Sequence, residues 1–310
     1  MEAIVAEEPQ NISTPEAGAP SPVRRHASIW GVARDVLLHR PTGMLGFLLL
    51  VVFGLMALFG PMLYPEHLAT DPFNAFAAPS WSHPLGTDFD GTDTLALIVT
   101  GSRYVLLSAF LAGFFTAAFG SVTGLTAGYF LGLGDSLLMK VADFVLTIPA
   151  FPLLVVLSTI WKFGDPVSMG LVLGIIGWGA LARAIRAQVL SLRERTFIEA
   201  ARGLGFSSFH IITREILPNL GSYIAMKFLL AVTGAMYASV GLFFLGVLPF
   251  KVNNWGVMLN FAFTQSGAMY TPKALPYLLS PLCAILLVTL GVVLFLDAVD
   301  EILNPRLRRR

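Results

Sequence analysis

Six apolar stretches dominate this chain, each long enough to cross about 30 Å of hydrocarbon at 1.5 Å per helical residue. They cover residues 43–63, 104–131, 138–161, 167–189, 221–247 and 275–297. A bilayer core offers no water to backbone N–H and C=O groups, so such stretches must close their hydrogen bonds internally, as helices. Composition agrees. Of 310 residues, 55% are hydrophobic and 13% charged, against about a quarter charged in soluble domains. The expected fold is an all-α membrane protein with six transmembrane helices. The third stretch carries Lys140 and Asp143 in its first turns and is interrupted by Pro149 and Pro152. Membrane helices tolerate such prolines where neighbours satisfy the freed carbonyls. The second stretch is rich in Gly and Ala, with Gly120 and Gly124 at the spacing that lets helices approach closely.

The segments between and around the spans set the topology. Residues 1–28 are rich in Glu, Pro, Ser and Ala and poor in large apolar side chains, the composition of a disordered tail. Residues 29–40 mix Arg34, Asp35, His39 and Arg40 with apolar residues, which suits a short interfacial helix. The first apolar run starts too far along and is too long for a signal peptide. With the N-terminus inside, thirteen of the 20 Lys and Arg fall in inside segments and four outside. This bias places both termini and residues 190–220 in the cytoplasm of a cell (inner) membrane protein. Residues 29–103 then hold the interfacial segment, first span and an external loop. Residues 104–300 form the core, and 301–310 a basic cytoplasmic end. Arg183, Arg186, Asp297, Asp300 and Glu301 read as helix-end charges reaching water or headgroups. Lys227 lies within two turns of the inner end of the fifth span. Cys283, the single cysteine, reads as a packing residue.

One cytoplasmic stretch has internal grammar. Thr196 and Glu199 have the spacing of a capping box. Gly203 and Gly205 offer turn positions that stop a helix, and Ser207 and Ser208 are N-cap candidates for a second one. Phe209, Ile212 and Ile216 then recur at helical spacing, and Pro218 ends that helix or opens the next segment. The pattern predicts two short amphipathic helices over 196–217. On periodicity alone they could lie on lipid or on a partner.

Chemistry of the chain's own is not indicated. No phosphate-binding Gly-x-x-x-x-Gly-Lys-Ser/Thr loop occurs, so ATP hydrolysis is not expected here. No His-Glu-x-x-His or Cys/His cluster suggests a metal. The five histidines lie outside the spans, which argues against an intramembrane hydrolase. The arginines, including Arg308, Arg309 and Arg310, form inside-facing clusters typical of a membrane surface and do not indicate nucleic acid. The chain is thus read as a non-enzyme, a transporter or scaffold whose energy comes from elsewhere.

Several motifs carry a family resemblance. Glu199-Ala200-Ala201 followed by Gly205 and Leu217-Pro218 resembles the cytoplasmic motif of membrane subunits of ABC importers. His83-Pro84-Leu85-Gly86-Thr87-Asp88 with Gly91-Thr92-Asp93 resembles the external segment of dipeptide/oligopeptide/nickel permeases. Phe244-Leu245-Gly246 with Trp255-Gly256-Val257-Met258-Leu259, and Asn304-Pro305-Arg306-Leu307-Arg308, resemble later parts of the same family. The resemblance covers roughly residues 40–310, and the single helix before the external segment is typical of its "C"-type subunit. It implies a type I importer core in helices two to six, with helix one added. It also implies a second homologous permease, two cytoplasmic ATPases that hold ATP and Mg, and an extracellular or periplasmic substrate-binding protein. In that arrangement Glu199, Ala200, Ala201, Gly205, Leu217 and Pro218 couple the chain to an ATPase. Glu199 would cap its helix or contact the partner. No cofactor is expected in the chain itself.

The sequence departs from the family pattern at two positions. Glu215 stands where an isoleucine is frequent, and Ser239 where an acidic residue often precedes Phe-Leu-Gly. Ser239 is a possible pathway-lining residue, and loss of the acid leaves neutral oligosaccharides open beside peptides; nickel chelates are the family's other alternative cargo. Two other classes compete with a permease of this kind: a non-transporting membrane scaffold, and an ion-coupled secondary transporter, which would need ionisable residues deep in its spans.

Overall fold

The computed structural model describes residues 40–64, 68–161, 163, 165–250, 252–268 and 270–303. The N-terminal tail, nearly all of the interfacial segment and the terminal basic run therefore lie outside the described residues. Among the described residues the chain is all-α. Helix α1 is Pro41–Leu63, α2 Thr94–Phe130, α3 Gly132–Thr147 and α4 Ala150–Ile160. Then follow α5 (Pro166–Arg193), α6 (Thr196–Gly203), α7 (Ser208–Phe244), α8 (Trp255–Thr264) and α9 (Leu275–Leu303). Five helices are long and apolar enough to cross a membrane, and α3 with α4, bent by 85° at their junction, forms either a broken sixth span or a re-entrant loop.

That break corrects the reading of 138–161 as one helix. Ile148 and Pro149 both take extended backbone angles. A residue before proline is pushed out of the helical region, and proline has no N–H to continue the ladder. Pro152 sits harmlessly in the first turn of α4, where N–H groups lack partners anyway. The helix of the second span also begins earlier than its apolar stretch at 104. The Asp93 carboxylate accepts from the N–H groups of Leu95 and Ala96, and this cap starts α2 at Thr94.

Close helix contact is built on glycines. A Cβ on Gly124 would meet the Ala182 carbonyl oxygen at 2.6 Å, and one on Gly174 would meet the Phe115 Cβ at 2.5 Å. The two longest-packed helices, α2 and α5, thus present glycines to each other from both sides, as the Gly120/Gly124 spacing predicts. Helix α1 lies against α9 in the same manner, with Gly46 facing the backbone at Gly291 and Phe295. One apolar core surrounds Trp255, whose indole N–H donates to the Ile98 carbonyl at 3.1 Å, with Tyr277, Phe243 and Met169. A second, separate core forms at the opposite end, beneath α6.

Arg183 and Arg186 each meet a carboxylate of α3. Arg186 grips Asp135 of α3 with two parallel bonds, Nε to Oδ1 at 2.5 Å and Nη2 to Oδ2 at 2.6 Å. Arg183 Nη1 lies 3.0 Å from Asp143 Oδ1. The planar Arg186 guanidinium matches the carboxylate fork of Asp135.

A candidate coupling platform

The second core holds the stretch that the sequence singled out. Ile198 and Ala201 of α6 are buried against Leu125 of α2, Leu181, Ile185 and Val189 of α5, and Ile211, Ile216 and Leu220 of α7. The α6 helix is therefore seated on three long helices by one face. One cationic contact ties it to the end of α2, and a second ties the end of α5 to the same residue. The Arg202 guanidinium lies 5.4 Å from the centre of the Tyr129 ring, and Arg193 donates to the Tyr129 carbonyl at 3.2 Å. Charge over an aromatic face adds about 0.5–1 kcal/mol at exposed sites.

The helix is closed at its C-terminus by a Schellman motif. Phe206 N–H donates to the Ala201 carbonyl at 3.2 Å and Gly205 N–H to the Arg202 carbonyl at 3.0 Å. Gly205 carries φ of +78°. The Ser207 hydroxyl then caps the next helix, accepting from His210 N–H at 3.3 Å. The capping box does not form. Helix α6 starts one residue too early for it: Arg195 is the N-cap, no side chain caps, and Thr196 is already helical. Glu199 is exposed, and the capping role considered for it is not seen.

The second short helix is likewise different. It is continuous with the following span, and residues 211–216 are π-helical. Proline at 218 cannot donate to the Arg214 carbonyl, and its ring would press on that group in an α-helix; widening to i→i+5 bonding relieves both. The Leu217 N–H accordingly bonds the Ile212 carbonyl. Asn219 Nδ2 supplies a side-chain donor to the Glu215 carbonyl at 2.6 Å. Widening also changes which residues face inward. Ile211 and Ile216, five apart, are buried, while Phe209 is 77% exposed. The expected face of Phe209, Ile212 and Ile216 is thus replaced.

The six coupling candidates do not share one surface. Glu199, Ala200, Gly205 and Pro218 are exposed, Leu217 is half-buried and Ala201 is buried. Sequence reasoning missed the outward apolar group of Phe197, Leu204, Phe206 and Phe209, with Leu204 75% exposed. Phe206 stacks on the His210 imidazole, ring centres 4.6 Å apart. Ser239 lies in α7, wholly buried within its own subunit, its hydroxyl without a partner.

The described residues thus form an all-α bundle of five or six candidate membrane spans, with a short helix packed beneath three of them. Residues 120–309 match the family described as binding-protein-dependent transport system inner membrane component. Residues 28–79 match the N-terminal TM domain of oligopeptide transport permease C. The chain belongs to this permease family. It is 31% identical over 302 residues to a dipeptide transport system permease protein DppC from Alkalihalophilus pseudofirmus, covering 96% of this chain and 97% of that one. It is 32% identical over 281 residues to the oligopeptide transport system permease protein OppC of Mycobacterium tuberculosis (89% and 94% covered). Identity to the OppC of Bacillus subtilis is 26% over 307 residues, covering 97% and 99%.

Proposed function

We propose that this chain is one of two homologous permease subunits of an ATP-driven importer of di- or oligopeptides. An external binding protein delivers the substrate, and two cytoplasmic ATPases, which hold ATP and Mg, drive alternating access. The names of its relatives support peptides as the cargo class. The observation that carries the coupling role is the two-sidedness of α6. Its inner face is locked into α2, α5 and α7, and its outer face presents Glu199 and Ala200 beside exposed Phe197, Leu204, Phe206 and Phe209. A partner that pulls on such a helix moves three spans together, whereas a loop without packing would absorb the motion. The N- and C-termini and α6 face the cytoplasm in this reading.

Reconstitution of the full complex tests it. Leu204→Glu and Phe209→Glu place charge on the outer face without touching the core. Both variants are expected to assemble in the membrane and lose at least about tenfold in substrate-stimulated ATPase activity and uptake, the scale of about 1.4 kcal/mol or more at a contact. Full coupling in both variants would show that the ATPases engage the permease elsewhere.

A further inference from the structure

At the end of the bundle opposite α6, a cavity of about 280 Å³ opens between the 68–93 loop, α8 and the start of α9. Two carboxylates line it, those of Asp88 and Asp90. Asp88 is 5% exposed, its Oδ1 held by the N–H groups of Asp90 and Thr92, whereas Asp90 is exposed. Among the described residues no Lys, Arg or His pairs with either. Tyr277 also lines the cavity, within electrostatic reach of both acids. It is 2% exposed, and its hydroxyl makes no hydrogen bond among the described residues, yet that hydroxyl is not sealed from the open space. Much of the remaining wall is apolar. Phe89 stands edge-on to Phe261 and Tyr277, with ring centres 5.5 and 6.5 Å apart, and Val257 and Met258 add further apolar surface.

These groups define their occupant by chemistry. Two acids without a counter-charge, set beside apolar side chains, call for a cation. A metal ion fits poorly. No three His, Cys, Asp or Glu side chains converge to hold one among the described residues. The space also exceeds a bare ion, since a water takes about 30 Å³ of liquid volume. The apolar wall calls for carbon attached to the charge. The phenol adds a proton donor, for which an ammonium has no acceptor. The first residue of a peptide brings all three features: the α-ammonium, a side chain, and a carbonyl oxygen beside them. A lysine side chain brings the charge and the carbon and leaves the phenol unanswered.

We infer that this cavity receives the amino-terminal residue of a cargo peptide. Asp90 binds the α-ammonium at the mouth, and Asp88 adds negative charge from the wall. The Tyr277 hydroxyl donates to the first carbonyl, and Phe89, Phe261 and Val257 take the first side chain. The inference rests on the proposed function, because it needs peptides to be delivered to this end of the bundle.

Photolabelling of the reconstituted full complex tests it. The probe is photoleucylglycylglycine, whose first residue is a diazirine analogue of leucine, with its amino terminus free or acetylated. Mass spectrometry of the digested chain should place the free peptide on Val257, Met258 or Phe261, and the acetylated one there at least about tenfold less. Asp90→Asn should lower this labelling at least about tenfold and Tyr277→Phe by a smaller factor. Asp71→Asn, which removes a charge from the same loop outside the cavity, should leave it unchanged. Leucinamide should compete. Two relatives should not: 4-methylpentanamide, which lacks the amine, and Nα-acetyl-lysinamide, which offers only a side-chain ammonium. Equal labelling by the two peptides, unchanged labelling of Asp90→Asn, or equal competition by 4-methylpentanamide would each overturn the proposal. Equal competition by Nα-acetyl-lysinamide would also overturn it and assign the cavity to a lysine of the binding protein. If Tyr277→Phe does not assemble, Asp90→Asn alone decides. Uptake of the free peptide, measured in parallel, separates the two readings. Uptake without labelling overturns the site alone, and failure to take up any peptide overturns the cargo class and the site with it.

Discussion

Ala200 and Ala201 are adjacent in sequence and opposite in role. A step of 100° around α6 turns Ala201 into the core beneath Ile185 and Ile211 and leaves Ala200 outside. Ala201→Leu should therefore overpack the core and destabilise by about 1–3 kcal/mol, read as a lower melting temperature of the detergent-solubilised complex. Ala200→Leu should stay within about 0.5 kcal/mol of wild type and change coupling alone. Equal melting of the two variants would contradict the seating of α6. Gly205 adds a conformational constraint. With φ of +78° and open space around its Cα, Gly205→Ala meets strain and no collision, costing about 1–2 kcal/mol. Asn there should be better tolerated.

The residue scale also contains a pH-sensitive carboxylate. Asp88 is buried in the 68–93 loop, where its Oδ1 accepts from Thr92 N–H at 2.7 Å and Asp90 N–H at 2.9 Å. Burial outweighs these donors and raises its pKa above the ordinary 3.8. A raised folded pKa favours the protonated form in the folded state. The stability it contributes is present below 3.8 and is lost as pH rises through the folded value. Asp88→Asn keeps a neutral acceptor. The melting temperature of wild type minus that of Asp88→Asn should thus fall as pH is raised from about 4 toward neutrality. A difference independent of pH would show that Asp88 titrates as an ordinary carboxylate.

At the scale of elements, hydropathy located the spans well because burial in hydrocarbon leaves a long, one-signed signal. It could not distinguish a kink from a break at Pro149. Proline weakens a helix in either case, and the 85° turn between α3 and α4 is decided by tertiary packing. The π-helical turn at 211–216 was invisible for a related reason: its cause, Pro218, was legible, but periodicity assumes 3.6 residues per turn and so placed Phe209 on one face with Ile212 and Ile216. The Gly120/Gly124 spacing allowed a close helix approach without naming the partner, which is α5, and Gly124→Val should break that contact. The Ala182 carbonyl leaves no room for a Cβ, so assembly in the membrane should fall sharply, visible as loss of the monodisperse peak in size-exclusion chromatography. The Arg186–Asp135 pair ties α3 to α5, with side chains 31% and 10% exposed. Breaking one partner of a fully buried pair costs about 3–5 kcal/mol, and partial exposure lowers that to about 1–3 kcal/mol here. Arg186→Gln should show this loss, and the Arg186→Asp, Asp135→Arg swap should recover part of it.

For the whole molecule, the legible part was the division into a membrane body and one organised polar stretch, because charge is so scarce that its placement is informative. What could not be read was which face of that stretch is free. Periodicity reports that a face is apolar, not what covers it; here the chain's own helices cover one apolar face of α6, and a second, smaller apolar group is left outside. Orientation rests on the Lys and Arg asymmetry, and it has a direct test, since the chain contains one cysteine. Cys283 is exposed on α9, so Cys283→Ala gives a background without thiols at little cost to the core. Single cysteines can then be placed at Trp81, fully exposed on the 68–93 loop, and at Glu199 on the outer face of α6. A membrane-impermeant maleimide added to intact cells should label Trp81→Cys and spare Glu199→Cys until the cells are permeabilised. Orientation follows basic residues because they resist transfer across the membrane during insertion, so the thirteen inside against four outside should hold α6 in the cytoplasm. The reverse labelling pattern would put α6 outside, beyond reach of any ATPase, and would remove the coupling role with it.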